Sequence, residues 1–191
     1  MTAPAVLRII GGQYKRTPLP VADKPGLRPT PSRVRETLFD WLGHDLKGWR
    51  CIDVFAGTGA LGFEAASRGA EQVLLIEQDP GLVRQLLALQ AKLQAAMVQI
   101  ERGDGLSRLQ CQTPQSLQLV LLDPPFDEAL FTQAQRQAAL RAAAAALSPA
   151  GYAYWEAALP WSEDALLACG LVLHRHLKAG AVHAHLLRPA A

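Results

Sequence analysis

Apolar residues recur along this chain with two different periods. From position 50 onward, short apolar runs alternate with longer stretches in which apolar positions return at helical spacing. The runs predict strands over 51–55, 73–77, 98–101, 118–122, 151–156, 171–177 and 181–188. The stretches predict helices near 59–68, 80–95, 128–146 and 162–168. Gly69 after Ser67-Arg68 reads as a helix C-cap, and Ser148-Pro149-Ala150-Gly151 as another helix end. The alanines of 142–146 are strong helix formers and read as part of an ordinary helix. Alternation of this kind predicts an α/β fold, a doubly wound and mostly parallel seven-stranded sheet with helices on both faces. Only Lys178-Ala179-Gly180 separates the last two strands, which are therefore expected to pair as an antiparallel hairpin at one edge.

The first 45 residues follow a different pattern. Arg8-Ile9-Ile10 and Leu19 flank Gly11-Gly12, which predicts a small β-hairpin or extended arm. Pro18, Pro20, Pro25, Pro29 and Pro31 keep the following chain out of helix. Thr30-Pro31 reads as an N-cap with proline at the first helical position. Val34, Leu38, Phe39 and Leu42 then form one apolar face, with Gly43 near the stop. Arg33, Arg35 and Glu36 are expected mostly off that stripe, presenting arginines beside the arm. The expected division is a basic arm over 1–30 and one domain over 31–191.

Charge sharpens that division. Residues 1–35 hold seven basic side chains and one acidic, against twelve basic and sixteen acidic in the remainder. A basic arm on a slightly acidic body points toward a polyanion. No apolar run reaches the roughly 18 residues needed to span a bilayer, and the first residues lack a secretion-signal pattern, so the expected location is cytoplasmic. Cys51, Cys111 and Cys169 are far apart and odd in number, which argues against a disulfide framework or a cysteine zinc site.

The chemistry begins at Asp53-Val54-Phe55-Ala56-Gly57-Thr58-Gly59. Gly57-Thr58-Gly59-Ala60-Leu61-Gly62 is a GxGxxG between a strand and a helix, and Glu77 ends the next strand twenty residues after Gly57. That is the outline of a dinucleotide site. Asp53 argues otherwise, because a carboxylate beside the loop repels a pyrophosphate. It favours S-adenosylmethionine, which carries a sulfonium and an ammonium. Glu77 can accept both ribose hydroxyl protons, and Asp104 in Gly103-Asp104-Gly105 can accept from an adenine amino group. Structural readings compete: Asp53 as a loop cap, Glu77 as a solvated strand end, and Gly103-Asp104-Gly105 as a plain turn. The three acids nevertheless sit at successive strand ends, where an open α/β sheet binds ligands.

Asp123-Pro124-Pro125-Phe126 follows the apolar run Leu119-Val120-Leu121-Leu122. An exocyclic amine on a planar base is a poor nucleophile, and needs acceptors to draw on its protons while it is held in line with an electrophilic methyl group. Asp123 offers a carboxylate and Pro124 a carbonyl. Two prolines stiffen the loop and remove two N–H donors, and Phe126 can stack on a flat base. The plain alternative is a strand-ending turn. Amino-group methylation by direct in-line displacement is the reading that joins this tetrapeptide to the glycine loop.

His174, His176, His183 and His185 alternate on the final two strands and could share a face, but exposed imidazoles are the expected reading and methyl transfer needs no metal. Trp41, Trp49, Trp155 and Trp161 show no stacking pattern and are expected to pack in or near the core. Rival functions are an adenine-N6 or cytosine-N4 methyltransferase acting on DNA or RNA, a non-catalytic ribosome-assembly factor, and a nicotinamide-dependent oxidoreductase. The last is disfavoured by Asp53.

Arg8-Ile9-Ile10-Gly11-Gly12, Gly26-Leu27-Arg28-Pro29-Thr30, Arg33-Val34-Arg35-Glu36-Thr37-Leu38-Phe39, Phe55-Ala56-Gly57-Thr58-Gly59-Ala60-Leu61-Gly62 and Asp123-Pro124-Pro125-Phe126, in this order, closely resemble the bacterial small-subunit ribosomal RNA guanine N2 methyltransferase family. The resemblance covers almost the whole chain, with Pro31-Ser32 and the histidine-rich hairpin less typical. It implies a class I, Rossmann-like methyltransferase fold, S-adenosylmethionine as donor, and a guanine of 16S rRNA in the small ribosomal subunit as acceptor; a monomer is expected. By resemblance Asp53, Gly57 and Gly59 hold the methionine end, Glu77 the ribose, and Asp104 with Leu106 the adenine. Phe55, Ala56, Thr58, Gln78 and Gly105 complete the cofactor set. Asp123 and Pro124 orient the guanine amine, with Pro125 stiffening the loop and Phe126 on the base. Arg8, Lys15, Arg16, Arg28, Arg33 and Arg35 are the expected RNA contacts.

Overall fold

The computed structural model describes residues 7–21 and 30–190. Its strands are β1 (Arg50–Asp53), β2 (Gln72–Glu77), β3 (Val98–Arg102), β4 (Leu117–Leu122), β5 (Leu147–Ala157), β6 (Leu171–Ala179) and β7 (Val182–Pro189). Its helices are α1 (Ser32–Trp41), α2 (Ala60–Ser67), α3 (Pro80–Leu93), α4 (Gly105–Gln110), α5 (Gln133–Ala146) and α6 (Glu163–Leu167). The strands form one sheet in the order β3-β2-β1-β4-β5-β7-β6. β1 to β5 pair in parallel, whereas β7 runs antiparallel between β5 and β6. This is the doubly wound sheet with an antiparallel edge hairpin that the alternation predicts.

Parallel strands need crossovers, and here helices supply them, covering both faces. On one face Cys51, Leu75, Leu119, Leu121, Tyr154 and Leu186 pack beneath α1, α2 and α3. On the other, Ile52, Val54, Ile76, Val120, Leu122 and Trp155 pack beneath α4, α5 and α6. That two-sided burial explains why the central strands read as continuous apolar runs. The chain order reverses between β1 and β4, so their carboxyl ends flank the crevice where such sheets bind ligands. Among the described residues no helix is long and apolar enough to cross a membrane.

Several local expectations are corrected. α1 begins with Pro31 as its N-cap and no side-chain cap, because the Thr30 hydroxyl is directed to Asp123 instead. α4 occupies a stretch for which no helix is expected, with Asp104 as its N-cap. The helix expected from 128 starts at Gln133, where Thr132 and Gln135 form a capping box. Ser148-Pro149-Ala150 does not end that helix outside the sheet but lies within β5, whose pairing with β4 is irregular there.

The N-terminal residues form a hairpin. The amides of Ile9, Arg16 and Leu19 donate to Thr17, Ile9 and Leu7 carbonyls at 2.8–3.0 Å. Ile9 and Leu19 are buried in the same cluster as α1 and α2. Gly12 adopts φ +71°, and a Cβ there would lie 1.8 Å from the Ser67 carbonyl oxygen, so only glycine lets the hairpin turn against α2. The predicted contact residue Arg28 lies outside the described residues.

Candidate functional site

Strand register places four carboxylates on one face of the sheet. Asp53 pairs with Leu75 and with Leu121, and Leu121 pairs with Tyr154. Side chains alternate along a strand, so Glu77, Asp123 and Glu156, each two residues further on, share the face of Asp53. All four lie at the carboxyl ends of β1, β2, β4 and β5.

Asp53 is 1% exposed and accepts a hydrogen bond from the Gly62 amide at 3.0 Å. Its Oδ1 is buried and makes no well-formed hydrogen bond among the described residues. Burial, reinforced by the nearby charge of Glu77, pushes its pKa up to about 7, and the Gly62 and Phe55 amides ease that cost only in part. A buried carboxylate oxygen lacking a donor is a place for a cation or a hydrogen-bond donor. The ammonium of S-adenosylmethionine is both, and its sulfonium adds positive charge, so the residues present fit that cofactor.

Glu77 ties the glycine loop down. Its Oε2 accepts from the Gly57 amide at 2.8 Å and its Oε1 from the Asp79 amide at 2.9 Å. Each oxygen retains accepting capacity for a ribose hydroxyl. Gly59 is the N-cap of α2 with φ +77°, and a Cβ there would meet the Phe63 ring at 2.6 Å. Ala56 and Thr58 are buried beside it, and Phe55 meets Phe131 edge to face at 5.1 Å. Gly105 comes so close to the β1 loop that a Cβ would lie 2.0 Å from the Val54 carbonyl oxygen. Asp104 is exposed, and its Oδ2 is taken by the Ser107 amide and hydroxyl at 2.8 and 2.6 Å. Half-buried Leu106 and exposed Gln78 border the same strand ends.

Beyond β4, Asp123 Oδ2 accepts from the Thr30 hydroxyl at 3.1 Å. Strand register sets Asp123 beside Glu156, which is 2% exposed and accepts from the Tyr154 hydroxyl at 2.6 Å. Burial first, and then the neighbouring Glu156 charge, hold the Asp123 carboxyl well above the usual carboxylate range. Burial raises Glu156 as well. The Arg136 guanidinium on α5 donates to the carbonyls of Pro125 and Phe126 at 2.9 and 3.0 Å. Phe126 remains 38% exposed, on a groove of about 340 Å³ that also includes Arg136, Leu159 and Trp161. A planar base has an aromatic ring and a fixed set of acceptors available here.

Three residues of this site are not among those the sequence assigns to it: Thr30, Arg136 and Glu156. Glu156 carried a usable signal, since it ends an apolar strand run as Asp53 and Glu77 do. Arg136 carried none, because an arginine in an alanine-rich helix reads as solvated.

Arg35 requires correction as an RNA contact. It is 0% exposed, and its guanidinium reaches Glu64 at 3.7 Å and the carbonyls of Arg8 and Thr30 at 3.0 and 3.3 Å. The cause is helical geometry: position 35 precedes Leu38 and Phe39 by three and four residues, so it lies on the buried stripe. Arg8, Lys15, Arg16 and Arg33 are exposed.

The four histidines do not form one set. His176 and His183 hydrogen-bond at 3.0 Å and, with His185, pack ring on ring, while His174 leans on Tyr152. The irregular register between Leu173 and Arg175 accounts for the separation. Burial lowers His185 to about 4, keeping it neutral. Among the described residues no cluster of three or more His, Cys, Asp or Glu is arranged to hold a metal.

The family described as Conserved hypothetical protein 95 matches residues 7–188. The chain is 46% identical over 128 residues to ribosomal RNA small subunit methyltransferase D of Escherichia coli, covering 66% of this chain and 64% of that protein. The protein of the same name from Haemophilus influenzae is 41% identical over 131 residues, 67% of this chain and 68% of that one. A solved structure described as putative methyltransferase yhhF from Escherichia coli superposes with a TM-score of 0.80 at 35% identity, covering 98% of this chain and 99% of that chain. The matched segment thus spans just under two thirds of the Escherichia coli relative's length.

Proposed function

The chain belongs to the family described as Conserved hypothetical protein 95, and on that premise we propose that it methylates the exocyclic N2 amine of a guanine in 16S rRNA of the small ribosomal subunit, with S-adenosylmethionine as donor. The observation that carries this reading is the meeting of the two loops. The Asp53–Glu77 glycine loop and the donor-poor Asp123-Pro124-Pro125-Phe126 bend end adjacent strands β1 and β4, on either side of the switch point.

S-adenosylmethionine supplies, when bound, an electrophilic methyl group on a cationic sulfur. Asp53 offers its orphaned oxygen to the cationic end, Gly57 and Gly59 let the backbone approach, and Glu77 accepts from the ribose. Asp104, Gly105 and Leu106 border the adenine, with Asp104 using the oxygen its cap leaves over. Asp123 and the Pro124 carbonyl accept from the two amine protons and orient the nitrogen lone pair. Phe126 lies against the base face. This is catalysis by positioning and by acceptors preorganised toward charge developing on nitrogen. The base must first leave its stack, at a cost of a few kcal/mol. We further propose that residues 1–30 extend the RNA contact through exposed Arg8, Lys15 and Arg16, together with Arg33 of α1, and that the protein acts as a cytoplasmic monomer.

The test is to incubate the protein with labelled donor and small subunits lacking the modification, then identify the labelled nucleoside by mass spectrometry. N2-methylguanosine at a single site is expected. N6-methyladenosine, N4-methylcytosine or no incorporation would overturn the assignment.

A further inference from the structure

Glu156 brings a second acid against Asp123, and we propose that the two carboxyls hold one proton between them and together accept the proton released by the methylated amine, with Glu156 as a positioning residue. The inference rests on the reading that Asp123 addresses the amine.

The geometry is that of a pair. Leu122 pairs with Trp155, so the next residues, Asp123 and Glu156, stand side by side at the ends of β4 and β5. Two like charges held side by side out of water repel strongly, and each carboxyl is raised above its ordinary range, so one proton is shared between them. Each acid has an anchor: Thr30 donates to Asp123 and Tyr154 to Glu156. Among the described residues the other groups facing the pair are few. Asp53 comes from β1, Arg35 of α1 stands one hydrogen bond behind Thr30, and β7 places Ala184 opposite Glu156. Glu156 is too buried to meet a base itself.

The proton balance follows. When the nitrogen lone pair has formed its bond to the methyl carbon, the nitrogen carries a positive charge and one proton too many. The singly charged pair takes that proton through Asp123, leaving a neutral secondary amine and two protonated carboxyls. One proton returns to water after the product leaves. Loss of the shared proton instead leaves two like charges in contact, which forces the acids apart and spoils the orientation of Asp123.

The first test needs no substrate. Infrared difference spectra of Glu156→Gln against wild type at neutral pH should show the loss of a protonated-carboxyl band distinct from that of Asp53, which Asp53→Asn identifies; identical spectra would overturn the proposal. Single-turnover rates on modification-free subunits should fall at least tenfold in Glu156→Gln with donor affinity unchanged. The alkaline limb of the wild-type pH profile should vanish. A rate within twofold and a superimposable profile would also overturn it. Should Glu156→Gln fail to fold, Tyr154→Phe removes a donor that favours the ionised pair, so the profile should move to higher pH; an unmoved profile counts against the pair. Wild-type protein that leaves guanine unmethylated would instead sink the underlying function.

Discussion

Arg35 of α1 and Glu64 of α2 face each other at 3.7 Å with neither side chain exposed. Glu64 also accepts from the Ile10 and Gly11 amides at 2.8 Å each and from Arg68 at 2.9 Å. A single buried carboxylate thus joins the N-terminal hairpin to two helices. Through Arg35 it reaches the Thr30 carbonyl, and the Thr30 hydroxyl reaches Asp123. The hairpin and the Asp123 loop are linked by a path of hydrogen bonds and one buried ion pair.

Removing Glu64 should therefore do more than loosen one ion pair. Glu64→Ala leaves Arg35 buried without its charge partner, a loss of about 3–5 kcal/mol, and deletes the acceptors of two arm amides. Denaturant unfolding should register the stability loss, and hydrogen exchange should register lost protection at Ile10 and Gly11. Retained protection at those amides in a folded variant would show that Ile9, Leu19, Ser67 and the Arg35 bond to the Arg8 carbonyl suffice to hold the arm.

Asp53, in its proposed role, should make cofactor affinity pH-dependent. Its pKa, raised to about 7 from an ordinary 3.8, means that the folded protein holds a proton which the unfolded chain has lost between those values. Stability from this group is therefore greatest at the acid end and falls as pH rises through the window. A cationic ligand favours the ionised form, so its affinity should rise with pH toward about 7 and its binding should release a proton. Calorimetry in two buffers of different ionisation enthalpy measures both. S-adenosylhomocysteine, which lacks the sulfonium charge, should respond less to pH. Asp53→Asn should weaken donor binding, abolish proton release and flatten the stability decline. Proton release that survives in Asp53→Asn would assign it elsewhere.

How much of this was legible depends on how local each signal was. β1, β2 and β4 could be read because two-sided burial makes their apolar runs unbroken, and Asp53 and Glu77 because each ends such a run. α4 was not legible because six residues are too few to display a helical period. Arg35 was misread because charge suggested solvent while its spacing from Leu38 and Phe39 placed it on the buried face. Thr30 was read as a cap by its local chemistry, whereas its hydroxyl meets a residue 93 positions away. Long-range partners of this kind leave no trace in a local pattern.

Arg136 should matter to rate more than to binding of the donor. One guanidinium nitrogen bridges the carbonyls of Pro125 and Phe126, which sets the loop that carries Asp123 and Pro124. Loss of that bridge lets the acceptors drift, and misplacement by about 1 Å costs on the order of 10²-fold in rate. Arg136→Met should lower kcat with donor affinity nearly unchanged. Equal losses of kcat and donor affinity would indicate collapse of the site in place of a loosened loop.

The salt dependence of RNA binding separates exposed arginine from buried arginine. Each phosphate contact on single-stranded RNA contributes about 0.7 to the slope of log affinity against log salt. Exposed Lys15, Arg16 and Arg33 are placed to make such contacts, whereas Arg35 is enclosed. Replacing Lys15, Arg16 and Arg33 by glutamine one at a time should weaken binding to small subunits and reduce the slope by up to that amount each, with melting temperature nearly unchanged. Arg35→Met should lower the melting temperature, and the protein that remains folded should bind with an unaltered slope. A slope reduced by Arg35→Met in folded protein would return that guanidinium to the RNA interface, and a slope indifferent to the other three would remove the hairpin and α1 from it.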